Sequence, residues 1–155
     1  MSDQTIAQQI AAARAGELPR VVARMASGWL VVGEVQPLVG YCVLMADPVV
    51  TSPNAMSETQ RALYAADMFR AGDAIMAVTG AYRINYETLG NVDPSLHTHI
   101  IPRYLDEPDA RRRERAAVAY DWAMARRFDP VADGPFIAGL RVWLGVELRR
   151  PRAPI

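Results

Sequence analysis

The sequence predicts an α+β fold, an antiparallel sheet with a long helix packed on it. Three features predict it. Residues 21–25, 29–32 and 40–45 are short, mostly apolar runs, and Ser27-Gly28 supplies a turn between the first two. Ser57-Glu58-Thr59-Gln60 has the form of a capping box, and the helical stretch it opens is closed by Gly80. Residues 82–89 and the run through Ile100-Ile101 then return to strand-like composition.

Taken in order, residues 3–17 read as a helix, because Ile6, Ile10 and several Ala favour one and Gly16 stops it. Its apolar face is thin, which predicts packing at the domain edge or on a partner chain. The three strands of residues 21–45 predict a meander, with a loop at 36–40. Asp47-Pro48 through Asn54 is a second loop. A helix over about 58–79 follows, with Leu63, Ala66, Phe69 or Arg70, Ile75 and Val78 as its inward stripe. Met56, Met68 and Met76 read as adaptable core fillers. In residues 82–89, Ile84, Tyr86 and Thr88 alternate with Arg83, Asn85 and Glu87, and Gly90-Asn91 marks a turn.

Beyond Arg103, Glu107 and Asp109 favour a helix N-terminus with Pro108 in its first turn. Arg111-Arg112-Arg113-Glu114-Arg115 reads as a solvated cationic face, or as a contact for distal phosphates or a partner subunit. Tyr120, Trp122, Met124 and Phe128 predict a packed segment. Residues 136–150 fit a last amphipathic helix with Ile137, Leu140, Leu144 and Leu148 in one stripe.

Composition narrows the function. With 155 residues the chain has room for one domain, residues 1–155. The formal net charge is zero, which removes a global electrostatic case for binding nucleic-acid polymers or membranes. All basic residues are Arg. One cysteine permits no internal disulfide and fits a reducing cytoplasm. No apolar run nears the roughly 20 residues needed to span a bilayer, and no secretion signal is expected.

Both histidines fall in Asn91-Val92-Asp93-Pro94-Ser95-Leu96-His97-Thr98-His99-Ile100-Ile101-Pro102-Arg103-Tyr104. In a strand, side chains alternate faces, so Ser95, His97 and His99 project to one side and Leu96 and Thr98 to the other. Pro94 and Pro102 are expected to bound that strand. Paired imidazoles beside an Arg suit an anionic group. A metal site would need a further ligand such as Glu34 or Glu87, and Cys42 is far away in sequence.

Ser95-Leu96-His97-Thr98-His99-Ile100-Ile101-Pro102-Arg103 resembles the signature strand of the histidine triad family of nucleotide hydrolases and transferases. The lead-in from Arg83 to Asn91 resembles bacterial members, and the segment from Gly33 to Leu44 resembles the family's first nucleotide-contacting hairpin. The resemblance covers about residues 28–104 and leaves residues 105–155 as a divergent helical extension. It implies a histidine-triad-like domain, a purine nucleotide substrate, a homodimer and no cofactor or metal. It also implies hydrolysis or transfer at the α-phosphate of a dinucleoside polyphosphate or nucleoside phosphoramidate, through a nucleotidyl-histidine. By that resemblance His97 is the nucleophile and His99 its partner. Asn85, Gly90 and Asn91 become phosphate-loop candidates, Glu34 the ribose contact, and Ser95 and Arg103 further substrate contacts. Ser95 replaces the first His of the triad, and Tyr41 stands where relatives often carry His. Those departures leave open a nucleotide-binding or interaction module with weak turnover.

Overall fold

The structure is a computed structural model in which residues 4–146 are described. The first element is α1 (Ile6–Ala15), closed by a Thr5/Gln8 capping box at one end and by Gly16 at φ 75° at the other. It leads into β1 (Val21–Arg24), β2 (Gly28–Val32), β3 (Val35–Gln36) and β4 (Cys42–Ala46). The long helix α2 (Glu58–Thr79) has the Ser57/Gln60 capping box and the Gly80 stop, at φ 74°. Next come β5 (Arg83–Glu87), β6 (His97–Arg103), α3 (Asp109–Arg112), α4 (Ala116–Ala119), β7 (Arg126–Arg127) and α5 (Gly134–Leu144).

Five strands form one antiparallel sheet in the order β1-β2-β4-β6-β5. β3 and β7 make a separate two-stranded ribbon. β6 therefore lies between β4 and β5, with Val43 opposite His99 and Met45 opposite His97. Alternation sorts its residues. Ile100 joins Leu30, Leu44, Ile75 and Leu140 in the core between the sheet, α2 and α5. The opposite face carries the histidines, with Tyr41, Val43, Met45 and Ile101 packed under Ile10 of α1 and Ala116 of α4.

Several expectations are corrected. α1 is no edge element: Ile10 is only 1% exposed, and α1 packs with α4 on the face of the sheet opposite α2 and α5. Its anchors are polar as well as apolar. Arg14 pairs with Asp47, Gln9 accepts from Arg20, and the Ile6 amide donates to Asp93. The inward face of α2 is Tyr64, Asp67, Ala71, Gly72, Ala74 and Ile75, while Leu63, Phe69, Met76 and Val78 are exposed. Small residues let α2 lie close to the sheet: a Cβ on Gly72 would stand 2.0 Å from the Tyr86 hydroxyl. β6 runs through Pro102, because pairing with β4 already ends at Ile100 and the missing N–H interrupts no ladder there. Met124 is exposed. The last helix stops at Leu144 with Gly145 as its cap. The expected start at residue 3 and the continuation through Leu148 lie outside the described residues. No helix of the described residues is long and apolar enough to cross a membrane.

Arg103 is the second correction of substance. It is 3% exposed, and all five of its N–H groups are committed. They donate to the Glu107 carboxylate, to Asn85 Oδ1 and to the carbonyls of Arg111 and Glu114. Glu107 also accepts from the Tyr104 amide and the Tyr120 hydroxyl. The pair therefore ties β6 to the extension and has no donor left for a ligand.

Removing one partner strands the other charge in the interior, at a typical cost of about 3–5 kcal/mol. Arg103→Ala should lower the unfolding free energy by about that amount in urea titrations. A loss of under about 1 kcal/mol would show that the pair is not the tie described.

Candidate functional site

β6 presents His97 and His99 on one face, with ring centroids 5.0 Å apart and planes at 80°. Each ring is held by a different kind of partner. The Nδ1 of His97 lies 2.7 Å from the Ser95 carbonyl oxygen. A carbonyl only accepts, so this nitrogen donates, and in the neutral ring Nε2 is the nitrogen with the lone pair. The Nδ1 of His99 lies 2.6 Å from the Tyr41 hydroxyl. Burial, then the neighbouring His97, pushes His99 down to about 4, against a smaller upward pull from Glu87. It is a neutral imidazole near pH 7.

Ser95 acts here chiefly through its main chain, and its side chain also hydrogen-bonds Asp93. Its amide donates to Asp93 Oδ1, closing the turn that leads into β6. Burial pushes the Asp93 carboxyl up, but hydrogen bonds from Ile6 and Ser95 outweigh it and hold the group below its usual range. The anionic Asp93 thus fixes the turn before His97 and the first turn of α1 at once.

Three recesses meet at these rings. One of about 440 Å³ is lined by His97, His99, Tyr41, Val43, Glu34, Val35, Arg20 and Trp122, with Ile6 and Gln9 of α1. It falls in the ordinary size range for small-molecule sites. A second, about 590 Å³, runs past His97 along residues 92–95 and the start of α1. The third, about 460 Å³, lies between His99, Glu87, Tyr120, Asp121 and Trp122. Glu34 stands at the rim of the first. Its Oε1 accepts from Arg127, 3.1 Å away, while its buried Oε2 has no hydrogen-bond partner among the described residues. That oxygen can only accept, so it suits a hydroxyl donor.

The structure brings together His97, His99, Ser95 and Glu34. It does not bring Asn85 or Arg103 to the cavity, because they bond to each other. Asn91 is exposed and lines none of the three recesses. Gly90 has φ 72°, a Cβ there would meet only the Asp93 carbonyl oxygen at 3.9 Å, and the loop residues against the histidines are Val92, Asp93, Pro94 and Ser95. Tyr41 and Trp122 are the residues that sequence reasoning missed as site-forming. The signal for Tyr41 was its place two residues before Val43 on the histidine side of β4. Trp122 carried no signal, since β7 pairing with β3 brings the extension across the site. Among the described residues, no group of three or more His, Cys, Asp or Glu is placed to hold a metal ion.

No family model matches the sequence, and no curated protein matches it. Solved structures do match the fold. A hypothetical histidine triad nucleotide-binding protein from Sulfolobus tokodaii aligns with TM-score 0.69 and 12% identity, over 89% of this chain and 91% of its own. A histidine triad protein from Marinobacter aquaeolei gives 0.67 and 16%, over 81% and 88%. Another from Bradyrhizobium japonicum gives 0.63 and 20%, over 79% and 87%. The chain has the fold of histidine triad proteins.

The His99 environment is measurable. Its ring signals should titrate near pH 4 by NMR, well below the ordinary 6.5. With the folded value below the unfolded one, protonation favours the unfolded chain, so stability should fall from about pH 6.5 toward pH 4. His99→Gln should flatten that limb in urea titrations. A midpoint near 6.5 would contradict the burial described.

Proposed function

We propose that this chain is a histidine-triad-type nucleotide hydrolase or nucleotidyl transferase. Its reaction is cleavage at the α-phosphate of a dinucleoside polyphosphate or a nucleoside phosphoramidate. The observation that carries the reading is the His97 tautomer: Nδ1 is spent on the Ser95 carbonyl, so the lone pair of Nε2 is left for the cavity. The fold shared with histidine triad proteins supports the same reading.

In this scheme Nε2 of His97 attacks the α-phosphorus, an N–P bond forms, and the bond from phosphorus to the leaving group breaks, a phosphate departing as its anion and an amine with a proton taken from solvent. Positive charge develops on the ring, and the Nδ1–H bond to Ser95 strengthens as it does. Water then attacks phosphorus, the N–P bond breaks, and the neutral imidazole returns. In transfer, an acceptor nucleophile replaces that water. His99 hydrogen-bonds the phosphate as a neutral ring, because the imidazolium that a general acid would need is suppressed by its surroundings. Backbone amides of Val92 and Asp93 take over the role expected of Gly90 and Asn91, since Pro94 has no N–H and the Ser95 amide is spent on Asp93 Oδ1. The unpartnered Glu34 oxygen accepts from a ribose hydroxyl, and Ile6, Val35, Val43 and Trp122 offer apolar surface for the base.

The assembly is proposed as a homodimer. β5 is an edge strand of the sheet, and the neighbouring α2 exposes Leu63, Phe69 and Met76. Those features suit pairing with a second copy.

A second reading, nucleotide binding with little turnover, is favoured by Ser95 at the first triad position. Mass spectrometry after a brief reaction with diadenosine tetraphosphate or adenosine 5′-phosphoramidate separates the two. An adenylyl adduct on His97 with product release is expected, and His97→Ala should lose both. Micromolar AMP binding by calorimetry without adduct or product would favour the binding module. Turnover retained in His97→Ala would remove His97 as nucleophile. For the ribose contact, Glu34→Ala should raise KM about ten-fold with little change in kcat, since that contact is made equally in ground and transition states. An unchanged KM would remove Glu34 from the binding site.

A further inference from the structure

We infer that Tyr41 is a positioning residue for His99, whose hydroxyl donates to Nδ1 and holds that imidazole as the Nε2–H tautomer. The ring then offers a donor, not a lone pair, to the phosphate at His97. The inference rests on the roles proposed for the two histidines and adds what fixes the second of them.

Hydrogen-bond accounting sets the direction. The Tyr41 side chain is buried, and His99 Nδ1, at 2.6 Å, is the one described partner of its hydroxyl. Were Nδ1 the donor, the phenolic proton would be buried without an acceptor, an arrangement folded proteins avoid. With the phenol donating, both groups are satisfied. The neutral ring must then carry its proton on Nε2, which has no hydrogen-bond partner among the described residues. Burial raises the Tyr41 hydroxyl above its ordinary range, so it keeps the proton it donates.

The seat of the ring is built. A Cβ on Gly33 would stand 2.2 Å from Tyr41 Cδ1, so only glycine leaves room for the aromatic ring there. The Tyr41 carbonyl accepts from the Gly33 amide at 2.9 Å and from Gln36 Nε2 at 3.0 Å. The ring stacks on His99 at 5.9 Å and 24°, and Trp122 meets it edge-on at 5.0 Å and 76°. A tyrosine so confined has little freedom to swing its hydroxyl away.

The consequence is a pair of adjacent imidazoles in opposite tautomers. A carbonyl acceptor makes His97 a nucleophile, and a hydroxyl donor makes His99 a hydrogen-bond donor. Preorganised donors of that kind act where charge develops in a transition state.

Long-range proton–nitrogen correlation spectra of the two rings at pH 7 test this without turnover. Expected in the wild type are a protonated Nδ1 for His97 and a protonated Nε2 for His99. Tyr41→Phe, which keeps the ring in its seat, should leave His97 unchanged and give His99 mixed tautomers. With adenosine 5′-phosphoramidate its kcat should drop at least about ten-fold while KM moves less than about two-fold. A wild-type His99 protonated on Nδ1, or doubly protonated at pH 7, overturns the inference. So do His99 signals that are unchanged in Tyr41→Phe. Retained turnover in His97→Ala would instead defeat the proposed reaction and leave the tautomer result standing.

Discussion

The pleat of β6 is the constraint on which the rest depends. Thr98 sits between the two histidines and points the opposite way, where its hydroxyl meets Tyr64 at 2.9 Å and Thr88 at 2.6 Å. Tyr64 belongs to α2 and also donates to the Leu44 carbonyl of β4. One buried threonine thereby locks the strand to the long helix and pins its register. A slip of one residue would drive two imidazoles into the apolar core and turn Ile100 toward the cavity. The fixed alternation is what lets short contacts to Ser95 and Tyr41 set the protonation pattern of two rings.

Much of the fold was legible because its signals are local. Both glycine stops and the Ser57/Gln60 box lie where the chain placed them, and the strands of the meander fall within one or two residues of their apolar runs. What was not legible depends on partners remote in sequence. The inward face of α2 is built of Ala, Gly and Ile75 together with Tyr64 and Asp67, which bond to the sheet and to Ser27, so a search for large apolar residues finds only Ile75 among them. Asp67, for instance, is buried because it accepts from the amide and hydroxyl of Ser27 in the turn before β2. Two-residue strands such as β3 and β7 have no periodicity to detect.

The site shows the same division. Spacing placed His97 and His99 on one face, the resemblance pointed to Glu34, and all three line one cavity. Arg103 was misread, because a cation after the signature strand suggests a phosphate contact until Glu107 arrives from the extension and consumes it. Asn85 follows Arg103 into that cluster. Tyr41 looked like a missing histidine and is a hydrogen-bond partner of another kind. The lesson is that a polar side chain's role is decided by whether its donors and acceptors are already spent. That accounting requires coordinates.

Asp93 joins two parts of the chain that composition alone would separate. One of its oxygens closes the turn before β6 and the other receives the first amide of α1. The N-terminal helix is therefore no detachable ornament on the sheet. Trimming the chain back to the first strand would free a carboxylate beside the loop before His97 and unroof the cavity together. A working boundary for this domain must fall ahead of Thr5.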